Sequence, residues 1–268
     1  MFAAILITLG VQGLIRGDFT AVWQPVPTGA PARAVLAFLC AVVSLASGVG
    51  LLWRRTAASA ARVLLAYLVL WLLVWRATAI VRAPTGVLSW DGCAETAVIV
   101  AAAWVLYATL AGDRDTRRIG FATGQKGLRI ARVLYAFALV PFGLAHFAYV
   151  KETASLVPGW FPSHTALAIV TGCAFLAASV AVLLGVCARL AVSLSALEMG
   201  LFTLLVWVPV VVAGSANAYQ WSELAISSAL AAAGWVVADS YRGTPWLAVA
   251  KSPWRRLERA RQVRDPRG

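Results

Sequence analysis

The stretch LASGVGLL at residues 45–52 returns as AASVAVLL at residues 177–184. Upstream of each copy, GLIR at residues 13–16 returns as GLAH at residues 143–146. Both pairs are separated by about 130 residues, and a fixed spacing of this kind is typical of an internal repeat. We therefore interpret the chain as two similar halves that carry the same series of apolar segments.

The composition predicts that these segments lie in a membrane. Hydrophobic residues make up 61% of the chain, charged residues 13%, and the mean hydropathy is +0.81, whereas a soluble domain has about 45–50% apolar and about 25% charged residues. Eight apolar stretches can be read, and most reach the roughly 20 residues that cross a bilayer as a helix. The predicted fold is an all-α membrane protein with eight transmembrane helices in two parallel-oriented four-helix repeats.

Polar connections divide this predicted fold into four parts. We expect a first four-helix repeat at residues 1–112, a cytoplasmic linker at residues 113–129, a second four-helix repeat at residues 130–241 and a basic cytoplasmic tail at residues 242–268. Because each repeat has an even number of spans, both repeats enter the membrane in the same direction.

The first apolar stretch is shorter than its counterpart in the second half. That counterpart continues past His146, which is aligned with Arg16. We therefore expect the first helix to continue past Arg16 toward Thr20.

The net charge of +12 is unevenly distributed along the chain. Eighteen of the 23 Lys and Arg residues lie at 54–62, at 114–132, at Arg189 and in the tail from Arg242. By the positive-inside rule, both termini are predicted to be cytoplasmic, which explains the basic excess without nucleic acid. The tail is also expected to hold anionic lipid headgroups, at about 1 kcal/mol per basic residue near the surface.

Three stretches of the second half resemble a known family: GLAHF at residues 143–147, LVPGWFP at residues 156–162 and VWVP at residues 206–209. They are similar to the DoxX-like family of small bacterial membrane proteins, most of which are single four-helix units. The first half resembles that family only through the internal repeat. The resemblance implies four-helix bundles in a bacterial inner membrane. For some members it implies a subunit of a membrane redox complex such as thiosulfate:quinone oxidoreductase.

Ionisable residues inside the apolar spans are the candidate site residues, because a charge at mid-bilayer costs at least about 2.5–3.5 kcal/mol. Most of them are expected near the external ends of their spans, and Glu198 near the middle of the seventh. Trp160, in a Pro-rich external loop, is added as an interfacial aromatic residue. The candidate ligand-binding residues are His146, Glu198, Glu223, Arg76, Glu95 and Trp160.

Each candidate also has a purely structural interpretation. Glu223 near a helix end is a typical solvated cap, Arg76 can extend its side chain to the interface, and His146 can be a hydrogen-bonded structural residue. Glu198 has no helix end within reach, so it is expected to be neutral, paired or facing a cavity. We expect Glu198 and His146 to line one polar pocket, with Arg76 or Glu95 contributing if that pocket lies between the halves.

Cofactor signatures are scarce. The four cysteines show no C-x-x-C spacing, and the two histidines form no cluster of metal-ligand type. We predict no metal and no covalently bound cofactor. A redox role would therefore depend on a diffusible quinone or on a soluble protein partner held at the membrane.

Three functions stay open at this stage, and the sequence does not decide whether the protein is an enzyme. The first is a membrane subunit of a redox complex, quinone-linked or anchoring a soluble oxidoreductase. The second is a small-molecule carrier, although no span shows paired Gly or Pro interruptions in both halves. The third is a non-catalytic scaffold that holds partner proteins through helix packing.

Overall fold

The computed structural model describes residues 1–20, 23 and 26–249, and those residues are largely helical with no β-strand. Pro25, in the first predicted external loop, lies outside the described residues, as do the tail residues from Lys251 to Arg267 that were predicted to bind anionic lipid. Seven helical stretches are long and apolar enough to cross a membrane. The prediction of an all-α, multi-pass membrane protein is confirmed at this level, and an eighth crossing stays a prediction.

Each half of the described chain consists of a series of α-helices of unequal length. The first half contains α1 (Phe2–Arg16), α2 (Arg33–Leu51), α3 (Arg54–Trp71), α4 (Ala77–Arg82) and α5 (Val87–Leu110), and α6 (Asp113–Ile119) connects it to the second. The second half contains α7 (Gly124–Ala148), α8 (Val150–Leu156), α9 (His164–Leu184), α10 (Ala188–Phe202), α11 (Val208–Val212) and α12 (Ala218–Asp239).

Helix α1 is too short to cross a bilayer unaided. Its 15 residues extend about 22 Å at 1.5 Å per residue, against about 30 Å of hydrocarbon. The predicted continuation to Thr20 is wrong, because Gly17 adopts φ 65° and donates its N–H to the carbonyl of Gly13. A left-handed residue of this kind ends a helix.

Residues after α1 fold back against the bundle. The Trp23 side chain is 1% exposed, and its indole N–H donates to the Ser44 hydroxyl of α2 at 3.1 Å. Arg33 forms an ion pair with Asp18 at 2.7 Å, and this hydrogen bond lowers the pKa of the Asp18 carboxyl. Phe19 and Trp23 thus pack as buried aromatic side chains against Trp71 of α3.

One end of the bundle holds most of the basic residues that the structure describes. Residues from the starts of α1 and α7 and from the ends of α5 and α12 line a common cavity there. The N–H of Cys187, between α9 and α10, donates to the carbonyl of Ala248 beyond α12 at 2.7 Å. We call this the basic end and the opposite one the distal end.

The long helices have the same order of neighbours in both halves. Helices α1, α2, α3 and α5 pack in sequence, as do α7, α9, α10 and α12, and between the halves α5 packs on both α7 and α12. A Cβ atom on Gly13 would lie 2.8 Å from Ala41 Cβ, and one on Gly143 would lie 2.7 Å from Leu176 Cγ. The glycine of the repeated motif therefore permits close approach of the first two helices in each half.

A second shared feature is a π-helical turn. Leu72–Arg76 joins α3 to α4, and Thr203–Trp207 joins α10 to α11. The two turns are about 130 residues apart, matching the spacing of the repeat. Isolated π turns inside α-helices occur frequently at functional sites.

The connection between the halves is more ordered than a simple linker. Helix α6 occupies much of the segment predicted as linker, and α7 already begins at Gly124. Asp115 of α6 accepts a hydrogen bond from Arg62 of α3 at 2.6 Å. The polar connection is thus attached to the first half at the basic end.

Topology can be tested by labelling single cysteines in a variant without Cys40, Cys93, Cys173 and Cys187. We expect Cys at Thr116, which is exposed on α6, to resist an impermeant maleimide in intact cells and to react after permeabilisation. Cys at Ser155, which is exposed on α8 at the distal end, is the control and should react in intact cells. If the Thr116 variant reacted in intact cells and the Ser155 variant did not, the predicted orientation would be wrong.

Candidate functional site

Arg76 is the most buried charged residue of the distal end. It closes the first π turn, and its Nε donates to the hydroxyl of Thr96 on α5 at 3.0 Å. Its Nη2 lies 3.8 Å from a carboxylate oxygen of Glu95, and the two side chains are only 10% and 22% exposed. Arg76 therefore points into the bundle and does not extend to the interface.

Glycine on α5 makes room for this guanidinium. A Cβ atom on Gly92 would lie 2.7 Å from Nη1 of Arg76. Any other residue at this position would have to displace the arginine side chain. The sequence of α5 thus accommodates Arg76 as well as supplying its hydrogen-bond and ion-pair partners.

Two further carboxylates approach the Arg76–Glu95 pair. Asp91 precedes Glu95 by one helical turn on the same face of α5, and Glu223 comes from α12, which packs on α5. Electrostatic interactions connect Asp91 and Glu95 with Arg76 and with Glu223. We call Arg76, Asp91, Glu95 and Glu223 the charged cluster, and it joins residues of both halves.

The second π turn packs on α12, the helix that carries Glu223. The Tyr219 hydroxyl interacts with the Glu223 carboxylate, and the Tyr219 ring is 6.3 Å from the ring of Trp207, which closes that turn. Trp207 is 4% exposed, and its indole N–H has no partner among the described residues. The first π turn thus ends in Arg76 of the cluster, and the second ends in Trp207, which contacts the tyrosine that interacts with Glu223.

The depth of the cluster follows from the helix rise of 1.5 Å per residue. Arg76 is about 9 Å from the end of α4, and Glu95 is about 12 Å from the start of α5. Asp91 and Glu223 are about 6–8 Å from the starts of their helices. The cluster therefore lies below the distal helix ends, inside the helical bundle.

His146 occupies a different position, between α7 and α9 at the distal end. Its Nδ1 is 2.7 Å from the carbonyl oxygen of Phe142, and its ring is 5.6 Å from that of Phe175. A carbonyl only accepts, so Nδ1 is the donor, and Nε2 of the neutral ring is left as an acceptor. His146 thus contacts aromatic residues of the second half.

Glu198 lies half-buried on α10, with no hydrogen bond or ion pair among the described residues. Its electrostatic neighbour is Tyr135, whose hydroxyl is 2.9 Å from that of Ser195. Tyr135 precedes His146 by about 16 Å along α7. The structure therefore does not bring Glu198 and His146 together.

Trp160 is 69% exposed in the segment between α8 and α9, and its ring lies 4.3 Å from that of Phe161. Of the six predicted residues, the structure thus assembles Arg76, Glu95 and Glu223 and leaves the other three apart. Sequence analysis missed Asp91, although its spacing of four residues from Glu95 on one helix was a usable signal.

Metal ligands do not cluster in the part of the chain that the structure describes: it has no group of three or more His, Cys, Asp or Glu that could hold a metal ion.

Comparisons of the chain with protein-family models, with curated proteins and with solved structures find no match.

Proposed function

We propose that the protein is a carrier of the bacterial inner membrane that moves a small organic cation in exchange for protons, with the charged cluster as its binding site. The observation that carries this proposal is the group of three carboxylates inside the bundle, two of which, Asp91 and Glu95, interact with the guanidinium of Arg76. Ionisable residues within membrane spans commonly mark substrate, ion or proton pathways.

Charge balance favours a cation as the ligand. Arg76 can compensate only one of Asp91, Glu95 and Glu223, and uncompensated charge in a low-dielectric interior is expensive. Full compensation requires two more positive charges, supplied either by two protons on the carboxyl groups or by one proton and one bound monovalent cation. Because a proton and the cation compete for the same oxygens, binding of one releases the other, which is the basis of exchange.

The position of the cluster also supports a carrier. Sites of many transporters lie between structural repeats and are formed by interrupted helices. No span shows paired Gly or Pro interruptions in both halves, which argues against a carrier. The two π turns nevertheless interrupt the regular α-helix at corresponding positions of the two halves.

We also propose that the chain is a tandem pair of parallel DoxX-like units with both termini in the cytoplasm.

Everted membrane vesicles energised by respiration test this function. Acridine orange reports the proton gradient, and choline and tetramethylammonium, which carry a permanent charge, are the probes. We expect at least one probe to dissipate part of the gradient in vesicles that contain the protein, but not in vesicles from cells that lack it. Glu95→Gln should abolish this response, because it removes a carboxylate that both the cation and the proton require.

Glu152→Gln is the matched control, because Glu152 is an exposed carboxylate of the same end and should leave the response unchanged. An equal loss in both variants, or no response to any probe, would contradict the carrier proposal. In the second case an organic extract of the purified protein should be examined for quinone. Bound quinone would favour a redox-complex subunit, in which His146 Nε2 accepts a hydrogen bond from the reduced ring.

A further inference from the structure

Two adjoining cavities open at the basic end of the bundle, far from the charged cluster. Their volumes are about 450 and 660 Å³, within the range of about 300–1,000 Å³ typical of small-molecule sites. We call the combined space the basal groove. Both cavities are lined by Met1, Phe2, Leu106, Leu110 and Val236.

The basal groove lies between the two halves. Its walls come from α1, α2, α3 and α5 of the first half and from α7 and α12 of the second, and they are mostly aliphatic. An apolar groove at the end of a membrane bundle continues the lipid-facing surface, so acyl chains are the occupants that the surrounding bilayer supplies directly. Filling the groove with hydrocarbon also removes its apolar walls from water, which is favourable.

The charges at the mouth of the groove are unequal. Arg54 lines the groove, is exposed and has no acidic partner among the described residues. Asp239, the acidic residue of the lining, is already paired with Arg242 at 2.5 Å. The guanidinium of Arg54 thus remains as a positive charge beside an apolar space.

Two other arginines of the basic end, Arg132 and Arg189, interact with protein groups. Arg132 donates to the hydroxyl of Ser240 at 3.0 Å, and its guanidinium lies over the ring of Tyr241. Arg189 donates to the carbonyl of Thr244 at 2.9 Å. Arg54 is therefore distinguished from these two by its lack of a partner.

We propose that the basal groove binds an anionic phospholipid, with an acyl chain in the apolar groove and the phosphate at Arg54. Positive charge beside an apolar space complements a ligand that combines a negative headgroup with hydrocarbon. Basic pockets between transmembrane helices are known to bind such headgroups. Because the groove is lined by both halves, the bound lipid also fills part of the interface between them.

Native mass spectrometry of the protein purified in detergent tests the proposal. The probes are phosphatidylglycerol and phosphatidylcholine with identical acyl chains, supplied together. We expect the wild type to retain phosphatidylglycerol preferentially and Arg54→Gln to reduce this preference about fivefold, which corresponds to about 1 kcal/mol for one basic residue near the surface. Arg55→Gln, an exposed neighbour outside the lining, should change it much less.

Leu110→Trp provides a second variant that leaves every charge in place. Leu110 is 38% exposed and lines both cavities, so a larger side chain should fill the groove and reduce retention of both lipids. Equal effects of Arg54→Gln and Arg55→Gln would indicate diffuse attraction and overturn the proposal, as would wild-type protein without a preference. Glu95→Gln should retain the lipid, which separates this site from the proposed cation site.

Discussion

Replacing Arg76 by Gln is expected to lower the free energy of unfolding by about 3–5 kcal/mol, the range for removing one partner of a buried ion pair. The variant leaves Asp91, Glu95 and Glu223 without a guanidinium, and it also removes the donor to Thr96. Reversible unfolding in mixed detergent micelles, followed by near-UV circular dichroism, measures this change.

Two further variants separate the charge effect from general damage. Arg82→Gln removes an exposed arginine of the same end and should change stability by less than about 0.5 kcal/mol. The double variant Arg76→Gln/Glu95→Gln removes a positive and a negative charge together, and we expect it to be more stable than Arg76→Gln alone. If Arg76→Gln behaved like Arg82→Gln, the charged cluster would not be an energetically coupled unit.

Replacing Gly10 by Leu is expected to separate α1 from α2 and to cost at least about 3 kcal/mol, above the usual range for one overpacked residue. Even a Cβ atom at this position would lie 2.5 Å from the backbone nitrogen of Leu45 and 2.8 Å from the carbonyl oxygen of Ala41. Backbone atoms of a helix cannot rotate away as a side chain can. Thermal unfolding of the purified variant measures the loss.

Gly200→Ala is the matched control, because Gly200 is also helical and a Cβ atom there would meet nothing within 4 Å. Alanine is expected to raise stability by about 0.5–1 kcal/mol, since glycine inside a helix carries an entropic cost. A Gly10→Leu variant as stable as the Gly200→Ala variant would mean that α1 and α2 are not closely packed.

Most residues of the candidate site were predictable from the sequence, but which of them lie close together was not. Apolar spans make ionisable residues conspicuous, and Arg76, Glu95 and Glu223 were identified on that basis. The proximity of these three side chains depends on how α5 packs on α12, and more than a hundred residues separate those two helices in the sequence. Glu198 and His146 were expected in one pocket, but Glu198 lies near Tyr135, about 16 Å from His146 along α7.

The sequence by itself determined that the chain is helical and apolar enough to cross a membrane several times. Backbone groups in lipid must be satisfied within each segment, so segment length and composition decide these properties locally. The tertiary structure alone decided that aromatic residues beyond α1 pack against α2 and α3, and that Glu223 of the second half lies near Asp91 and Glu95 of the first. These features depend on side-chain fit between helices that are distant in sequence, and the pattern of a single span does not encode that fit.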